Sequence, residues 1–462
     1  MPEKTTHRRA FLESIGALGA LGALGAASAG STPAAARAAA PPAGDRPAEK
    51  LAVKGGKPVR SHTLGTGPYG PQFYGDDEKK ELAEVIESGN PFRHRGGKVA
   101  QFEKEYAQHL GVKYALGVTS GTTALYAAMA ALEIGPGDEV ILPAWTWYAD
   151  YDVIVLSGAL PVFAEIDDSF NIDPNDIERH ITPRTKAIVA CHLQGCPCDM
   201  DPIMAIARKH RIRVLEDCAQ CAGGKYKGKY VGTIGDIGIN SFQLSKTITS
   251  GEGGAVTTND PILYERAYRF HDVGHLGRSF FESIGNGVLA AMAACNFRMS
   301  ELTAAVLRAQ LRKLETICQL VRSKWRKVRE GIADLPDLKL RKTPDVDGDI
   351  GVAVFIDMGT RQRRDQFLRA IRAEGISASG PAGSVILPID PRVEHKRTIH
   401  PEWPSFRSAR GQEIRYGAEC CPRTIDIINR YAGVPIGPKY TDQDVADIIH
   451  AIRKVYLAMR QA

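Results

Sequence analysis

Apolar residues along this chain follow two rhythms. Short, mostly apolar runs at 114–119, Glu139–Pro143, 160–166, 187–192 and 213–216 predict strands. Longer stretches repeat apolar residues at helical spacing. Asp76–Ser88 carries Leu82, Val85 and Ile86, and 99–110 carries Phe102, Tyr106 and Leu110. Residues 124–132 are strong helix formers, and 202–210 reads as a further helix. The run 441–459 puts Val445, Ile448, Ile449, Ile452 and Tyr456 on one face. Strands alternating with helices predict an α/β fold with a mostly parallel sheet and right-handed crossovers.

A second, smaller α+β domain is expected at the C-terminus. A long helix over 296–314 would lead into it, and 352–358 and 376–378 read as its strands. The expected division is a large domain with an N-terminal arm over 51–315 and a small domain over 316–462. The sequence shows no internal repeats.

The chain has 462 residues, 44% hydrophobic and 24% charged, enough for a large core and a second domain. The net charge of +6 is dispersed. No Lys/Arg block is interleaved with aromatics, so the sequence gives no footprint for a nucleic-acid partner. The nine cysteines do not form the framework of a small disulfide-rich domain. Cys218 and Cys221 form a C-x-x-C without a second pair at zinc-ribbon spacing. Cys191, Cys196 and Cys198 lie close together. All of these read as small buried residues, and no metal site is expected.

Residues 1–44 read as a leader and linker outside the fold. His7-Arg8-Arg9-Ala10-Phe11-Leu12 precedes a weakly apolar Gly/Ala/Leu stretch, and Ala27-Ser28-Ala29 offers a cleavage site. This is the pattern of a twin-arginine export signal. The expectation is folding in the cytoplasm, then export to the periplasm or beyond. An uncleaved leader would leave the protein tethered. The apolar stretch is shorter than the ~20 residues of a spanning helix, so no stable membrane span is expected.

Two residues carry the chemistry. The strand ending at Glu216 leads to Asp217, and the run Ser241-Phe242-Gln243-Leu244-Ser245-Lys246 leads into Gly251-Glu252-Gly253-Gly254. A strand-end carboxylate and a lysine on a small-residue loop suit pyridoxal 5'-phosphate. The lysine amine forms a Schiff base with the aldehyde, and the carboxylate keeps the pyridine nitrogen protonated. Ser120-Gly121-Thr122 lies between a strand and a helix start, where unpaired amides and the helix dipole bind phosphate. Ser and Thr are also ordinary helix caps, so this motif gains weight only beside Asp217 and Lys246. Asp217, Ser120 and Trp147 all follow strand ends, where ligands sit in such sheets.

From residue 51 to the C-terminus the chain resembles the DegT/DnrJ/StrS aminotransferases. The motifs that carry the resemblance are EDCAQ (216–220), SFQLSK (241–246), GEGGAV (251–256) and NFRMSEL (296–302). The resemblance implies the fold type I architecture of pyridoxal-phosphate enzymes. It also implies ping-pong transfer of an amino group from Glu or Gln to a keto-sugar or keto-cyclitol. Lys246 would be the catalytic lysine, Trp147 would stack on the ring, and Gln220, opening a helix, would lie near its phenolic oxygen. Ser241 would contact the phosphate. Asn296 would reach the phosphate of a neighbouring subunit, implying a homodimer with shared sites, although Asn296 also reads as a helix cap.

His192, in His192-Leu193-Gln194-Gly195, has a structural reading as good as its catalytic one. Arg93, His94 and Arg95 read either as the rim of a substrate entrance or as a solvated loop. The arm Gly55-Gly56-Lys57-Pro58-Val59-Arg60 and the 404–422 segment resemble the cyclitol and aminohydroxybenzoate branch. Alternatives are a nucleotide-keto-sugar aminotransferase, another enzyme of the same fold such as a lyase or desulfurase, and a non-catalytic regulatory protein that keeps the cofactor.

Overall fold

A seven-stranded sheet organises the larger part of the molecule, a computed structural model that describes residues 49–460. The leader and linker expected over 1–44 lie outside the described residues. The strands are β1 (Tyr114–Val118), β2 (Glu139–Pro143), β3 (Leu160–Ala164), β4 (Thr185–Cys191), β5 (Arg213–Asp217), β6 (Ile237–Ser241) and β7 (Gly254–Thr258). Their spatial order is β1-β7-β6-β5-β4-β2-β3. From β6 to β3 every pairing is parallel, while β7 runs antiparallel to both β1 and β6.

Five of these strands follow the apolar runs of the sequence. The other two, β6 and β7, are diluted by Gly, Asn, Ser and Thr, although every residue in them is buried. Close approach explains the glycines. A Cβ on Gly238 would come within 2.4 Å of the Gly232 carbonyl oxygen, and one on Gly254 within 2.2 Å of the Ser120 carbonyl oxygen. The glycines that let these strands pack also hide them from apolar-pattern reading.

Helices α1 (Asp76–Ser88), α2 (Lys98–Leu110), α3 (Gly121–Ala131) and α5 (Met200–His210) match or extend the stretches read as helices, while α4 (Tyr148–Leu156) falls where no helix is expected. The expected helix over 296–314 instead starts at Glu301, as α6 (Glu301–Leu311), followed by α7 (Leu314–Ile332). Ser300 is its cap and accepts from Thr303 N at 3.2 Å. Residues 296–298 are extended because their backbone is already paired. Thr119 N donates to Phe297 O at 3.0 Å, and Phe297 N donates to His271 O at 2.8 Å.

Toward the C-terminus Lys339–Leu340 (β8), Ala353–Asp357 (β9) and Tyr431–Pro435 (β10) form an antiparallel sheet. The last helix is α8 (Asp442–Arg460). No strand forms over 376–378; Ile376 makes one bridge, to Leu64. The N-terminal arm takes up this backbone, with Leu64 N bonded to Gly375 O and Ser377 N to Leu64 O. Buried Glu374 clamps the arm, accepting from Ala52 N at 2.9 Å and Val59 N at 3.1 Å beside the Lys454 ammonium at 2.8 Å.

Part of the C-terminal region packs back on the elements around the large sheet. Val385–Ile386 pairs with the two-residue strand Trp145–Thr146. The Trp403 indole and Ser405 hydroxyl donate to Val155 O at 2.6 and 3.1 Å, and the Tyr416 hydroxyl donates to Pro161 O at 2.8 Å. Among the described residues no helix is long and apolar enough to cross a membrane.

Candidate active site

The carboxyl ends of β4 and β5 lie side by side, with Cys191 opposite Asp217. Asp217 is buried. Its Oδ1 accepts from Ala219 N at 2.8 Å and its Oδ2 from Cys191 Sγ at 3.5 Å. Asp150, in the first turn of α4, completes the cluster: one side-chain heteroatom from each of Asp150, Cys191 and Asp217 lies within 4.8 Å of the others. Burial pushes the Asp150 carboxyl well above the usual range, and the nearby charge of Asp217 adds to the effect.

Lys246 sits on the loop between β6 and β7. Phe242 anchors the root of that loop, meeting the rings of Phe102 and Tyr106 edge-on at 5.6 Å each. Backbone bonds fold the loop back on itself: Phe242 N to Gly253 O at 2.8 Å, Leu244 N to Gly251 O at 3.0 Å, and Lys246 N to Gln243 O at 2.9 Å. Lys246 keeps partial solvent access. Desolvation draws its ammonium pKa down, opposed by the fields of Asp217 and Cys191. The Asp217 carboxylate thus lies close enough to act on the Lys246 amine.

The start of α3 lies beside the end of β6. Ser120 caps the helix, its Oγ accepting from Thr123 N at 3.1 Å and its N donating to Thr123 Oγ1 at 2.9 Å. That hydroxyl serves the helix itself. By position, the amides of Gly121 and Thr122 have no intrahelical acceptor. A Cβ on Gly121 would come to 2.7 Å from Ser241 Cβ, so the helix start and the end of β6 meet there. Exposed amides, a helix N-terminus and a serine hydroxyl fit a phosphate. The carboxylate and the amine fit the ring nitrogen and aldehyde of pyridoxal phosphate.

The remaining expected residues fall in different places. Trp147 precedes α4 with 49% of its surface exposed, leaving its ring free to stack. Gln220 lies in a turn and opens no helix. Its Nε2 donates to Gly383 O at 2.9 Å and to Ser384 Oγ at 3.0 Å, and its Oε1 accepts from Gln194 N and Nε2 at 3.3 Å. It fastens a C-terminal loop beside the site. Asn296 is exposed on the extended 296–298 segment and caps no helix; its Oδ1 accepts from Arg298 N at 3.3 Å.

His192 is wholly enclosed between Glu216, 3.1 Å from Nε2, and the Cys198 amide, which donates to Nδ1 at 2.9 Å. Both ring nitrogens are occupied, so its role is structural. Arg93 is buried, paired with Glu103 at 2.7 Å and bonded to Gly117 O at 3.2 Å, and does not line an entrance.

Sequence reasoning missed Asp150, Cys191 and Thr146 as one cluster. An acid in the first turn of a helix is common for the dipole alone, and a strand-end cysteine is an ordinary core residue. Only the Thr146-x-x-x-Asp150 spacing, one helical turn, hinted at a contact.

The family model for the DegT/DnrJ/EryC1/StrS aminotransferase family matches residues 73–381. The chain is 34% identical over 376 residues to a candidate L-glutamine:3-amino-2,3-dideoxy-scyllo-inosose aminotransferase of Micromonospora echinospora, covering 79% of this chain and 87% of the relative. It is 33% identical over 383 residues to a dTDP-3-amino-3,6-dideoxy-alpha-D-galactopyranose transaminase of Aneurinibacillus thermoaerophilus, covering 82% and 96%. Among solved structures, 3-amino-5-hydroxybenzoic acid synthase aligns at a TM-score of 0.72 and 26% identity, over 87% of this chain and all of that one. This chain belongs to the DegT/DnrJ/EryC1/StrS aminotransferase family and is a pyridoxal-phosphate-dependent aminotransferase.

Proposed function

We propose that this family member moves an amino group from glutamate or glutamine to a keto-cyclitol or a free keto-sugar. Two adjacencies support the reading: Lys246 feels the field of Asp217, and Gly121 at the start of α3 packs against Ser241, five residues before Lys246. When bound, the cofactor supplies a reactive aldehyde and a ring that accepts electrons. The rest is the work of this chain. The amides of Gly121 and Thr122 and the hydroxyl of Ser241 hold the phosphate. Ser120 holds the helix start in shape. Asp217 holds a proton on the ring nitrogen, and Trp147 covers one ring face. Lys246 would hold the cofactor aldehyde through Nζ, and the same Nζ would be the group that carries the reacting proton. Its depressed pKa keeps more of that amine unprotonated near neutral pH. Gln220 joins the pocket wall to the 382–384 loop.

The cyclitol preference rests on the likeness to the inosose relative and on the charge beside Trp147. Arg392 lies over the Tyr148 ring at 3.9 Å and is paired with Asp152 at 3.4 Å and Asp390 at 3.5 Å. A guanidinium committed to two carboxylates is a poor partner for a diphosphate. The twin-arginine pattern agrees, because nucleotide-linked sugars are cytoplasmic and this reading places the mature enzyme outside. It works as a homodimer, with Asn296 on the exposed segment that would face a second copy.

An absorbance titration tests the reaction: glutamate or glutamine should convert the loaded enzyme to its aminated form, and scyllo-inosose should restore it. Restoration only by a nucleotide-linked keto-sugar would reject the acceptor. No conversion by any amino donor would reject transamination in favour of a lyase or a regulatory protein.

A further inference from the structure

Asp150 is buried, and only one of its oxygens has a partner. Its Oδ2 meets Thr146 Oγ1 at 2.5 Å; its Oδ1 has none among the described residues. Thr146 Oγ1 also lies 3.2 Å from Cys191 Sγ, and Cys191 Sγ lies 3.5 Å from Asp217 Oδ2. Proton counting decides how this row is wired. A hydroxyl has one proton to give. If Asp150 were a carboxylate, Thr146 would have to donate to it, and the single Cys191 thiol proton could serve Thr146 or Asp217 but not both. If Asp150 carries a proton, every contact has one donor. Asp150 O–H gives to Thr146, Thr146 O–H gives to Cys191, and Cys191 S–H gives to Asp217.

We propose that Asp150 is held as a neutral acid and heads a row of proton donors through Thr146 and Cys191 to Asp217, leaving Asp217 the single anion on this wall of the pocket. An ionised carboxylate with an unpaired oxygen in a dry site is costly, and a second anion beside Asp217 more so. The titratable groups that face Asp150 are Asp217 on β5 and Cys191 on β4, and Lys246 faces Asp217 from the β6–β7 loop. The row fixes the orientation of the Asp217 carboxylate and weakens its negative field. A second charge would instead hold the Lys246 amine protonated. Asp150 is therefore a positioning residue acting through Asp217.

The protonation is a property of the cofactor-free protein; only its consequence for the ring nitrogen rests on the proposed function. The first test is an infrared difference spectrum of cofactor-free wild type minus Asp150→Asn at neutral and mildly alkaline pH. A protonated carboxylic acid band present in wild type and lost in the variant is expected; its absence from the difference overturns the proposal. Thermal melting supplies a second readout. The folded pKa of Asp150 lies above its unfolded value, so wild type loses stability as pH rises from the ordinary aspartate range through the folded value. Asp150→Asn lacks that loss, so its melting temperature should gain on wild type as pH rises, and a constant gap would count against the idea.

In the loaded enzyme, Cys191→Ala should move the pH midpoint of the visible absorption band upward, and Cys191→Ser should return it. An unmoved midpoint would break the link to Asp217. A loaded protein with no visible band would sink the proposed function and leave the infrared result standing.

Discussion

Glu216 and Asp217 are consecutive carboxylates on β5, yet they occupy opposite chemical situations. Glu216 accepts from Gly232 N at 2.8 Å, Ile234 N at 2.7 Å, Gly235 N at 2.6 Å and His192 Nε2 at 3.1 Å. The Cys198 amide donates to His192 Nδ1, which places the ring proton on Nε2. Burial alone would raise the Glu216 pKa, but the bond from His192 and those from the backbone together hold it below the usual range. Asp217 points to the other face of the sheet, because side chains alternate along a strand. Its partners are one amide and the Cys191 thiol, with Asp150 close by. A carboxylate whose lone pairs are filled by the fold is a fastener. One left with spare acceptors beside an amine is available for chemistry.

The largest effects should come from the chemical side. Lys246→Ala is expected to lower transamination by about 10⁴-fold or more, because both the tether and the proton carrier are lost. Half-reaction kinetics and borohydride trapping measure this, and label incorporated at another lysine would dissolve the contrast. Asp217→Asn should lower the rate by about 10²–10³-fold with little change in melting temperature, as expected for a group that stabilises developing charge.

The fastener side should respond in stability. Glu216→Ala leaves three amides and a buried histidine without their acceptor, and should cost about 3–5 kcal/mol in urea unfolding. The pH dependence has a definite sign. With a folded pKa below the unfolded value, the contribution of Glu216 is full above the ordinary glutamate pKa of about 4.3 and is lost as pH falls through the folded value. A Glu216→Ala penalty unchanged at acid pH would show that the site acts by packing.

Two smaller tests sharpen the boundary between the regions. Gly121→Ala drives a methyl toward Ser241 and should weaken cofactor binding by about tenfold, equivalent to ~1.4 kcal/mol, followed by fluorescence titration. Gln220→Ala frees the loop at Gly383 and Ser384 and should cost about 1 kcal/mol, read as a rise in KM for the keto acceptor at nearly constant kcat.

Much of the sheet was legible because parallel strands buried on both faces read as nearly continuous apolar runs, as β2, β3 and β4 do. The strands flanking the lysine loop were not, because close packing demanded glycine at Gly238 and Gly254. The helix expected from Asn296 was overruled by backbone pairing with residues far away in sequence, at Thr119 and His271. The arm was visible as a motif, but its clamp on Glu374 and Lys454 joins residues more than 300 positions apart and leaves no local signal.

What the sequence by itself determined was the order of strand, turn and helix, and with it that Ser120, Trp147 and Asp217 follow strand ends and that Lys246 lies on a small-residue loop. Those are local properties, written in periodicity and in the chemistry of single side chains. Only the tertiary structure decided which neighbours each carboxyl meets. It paired Glu216 with His192 and three amides, and it brought Asp150, from a helix 67 positions upstream, beside Asp217. Protonation depends on burial and on charges a few ångströms away, and those distances are set by folding.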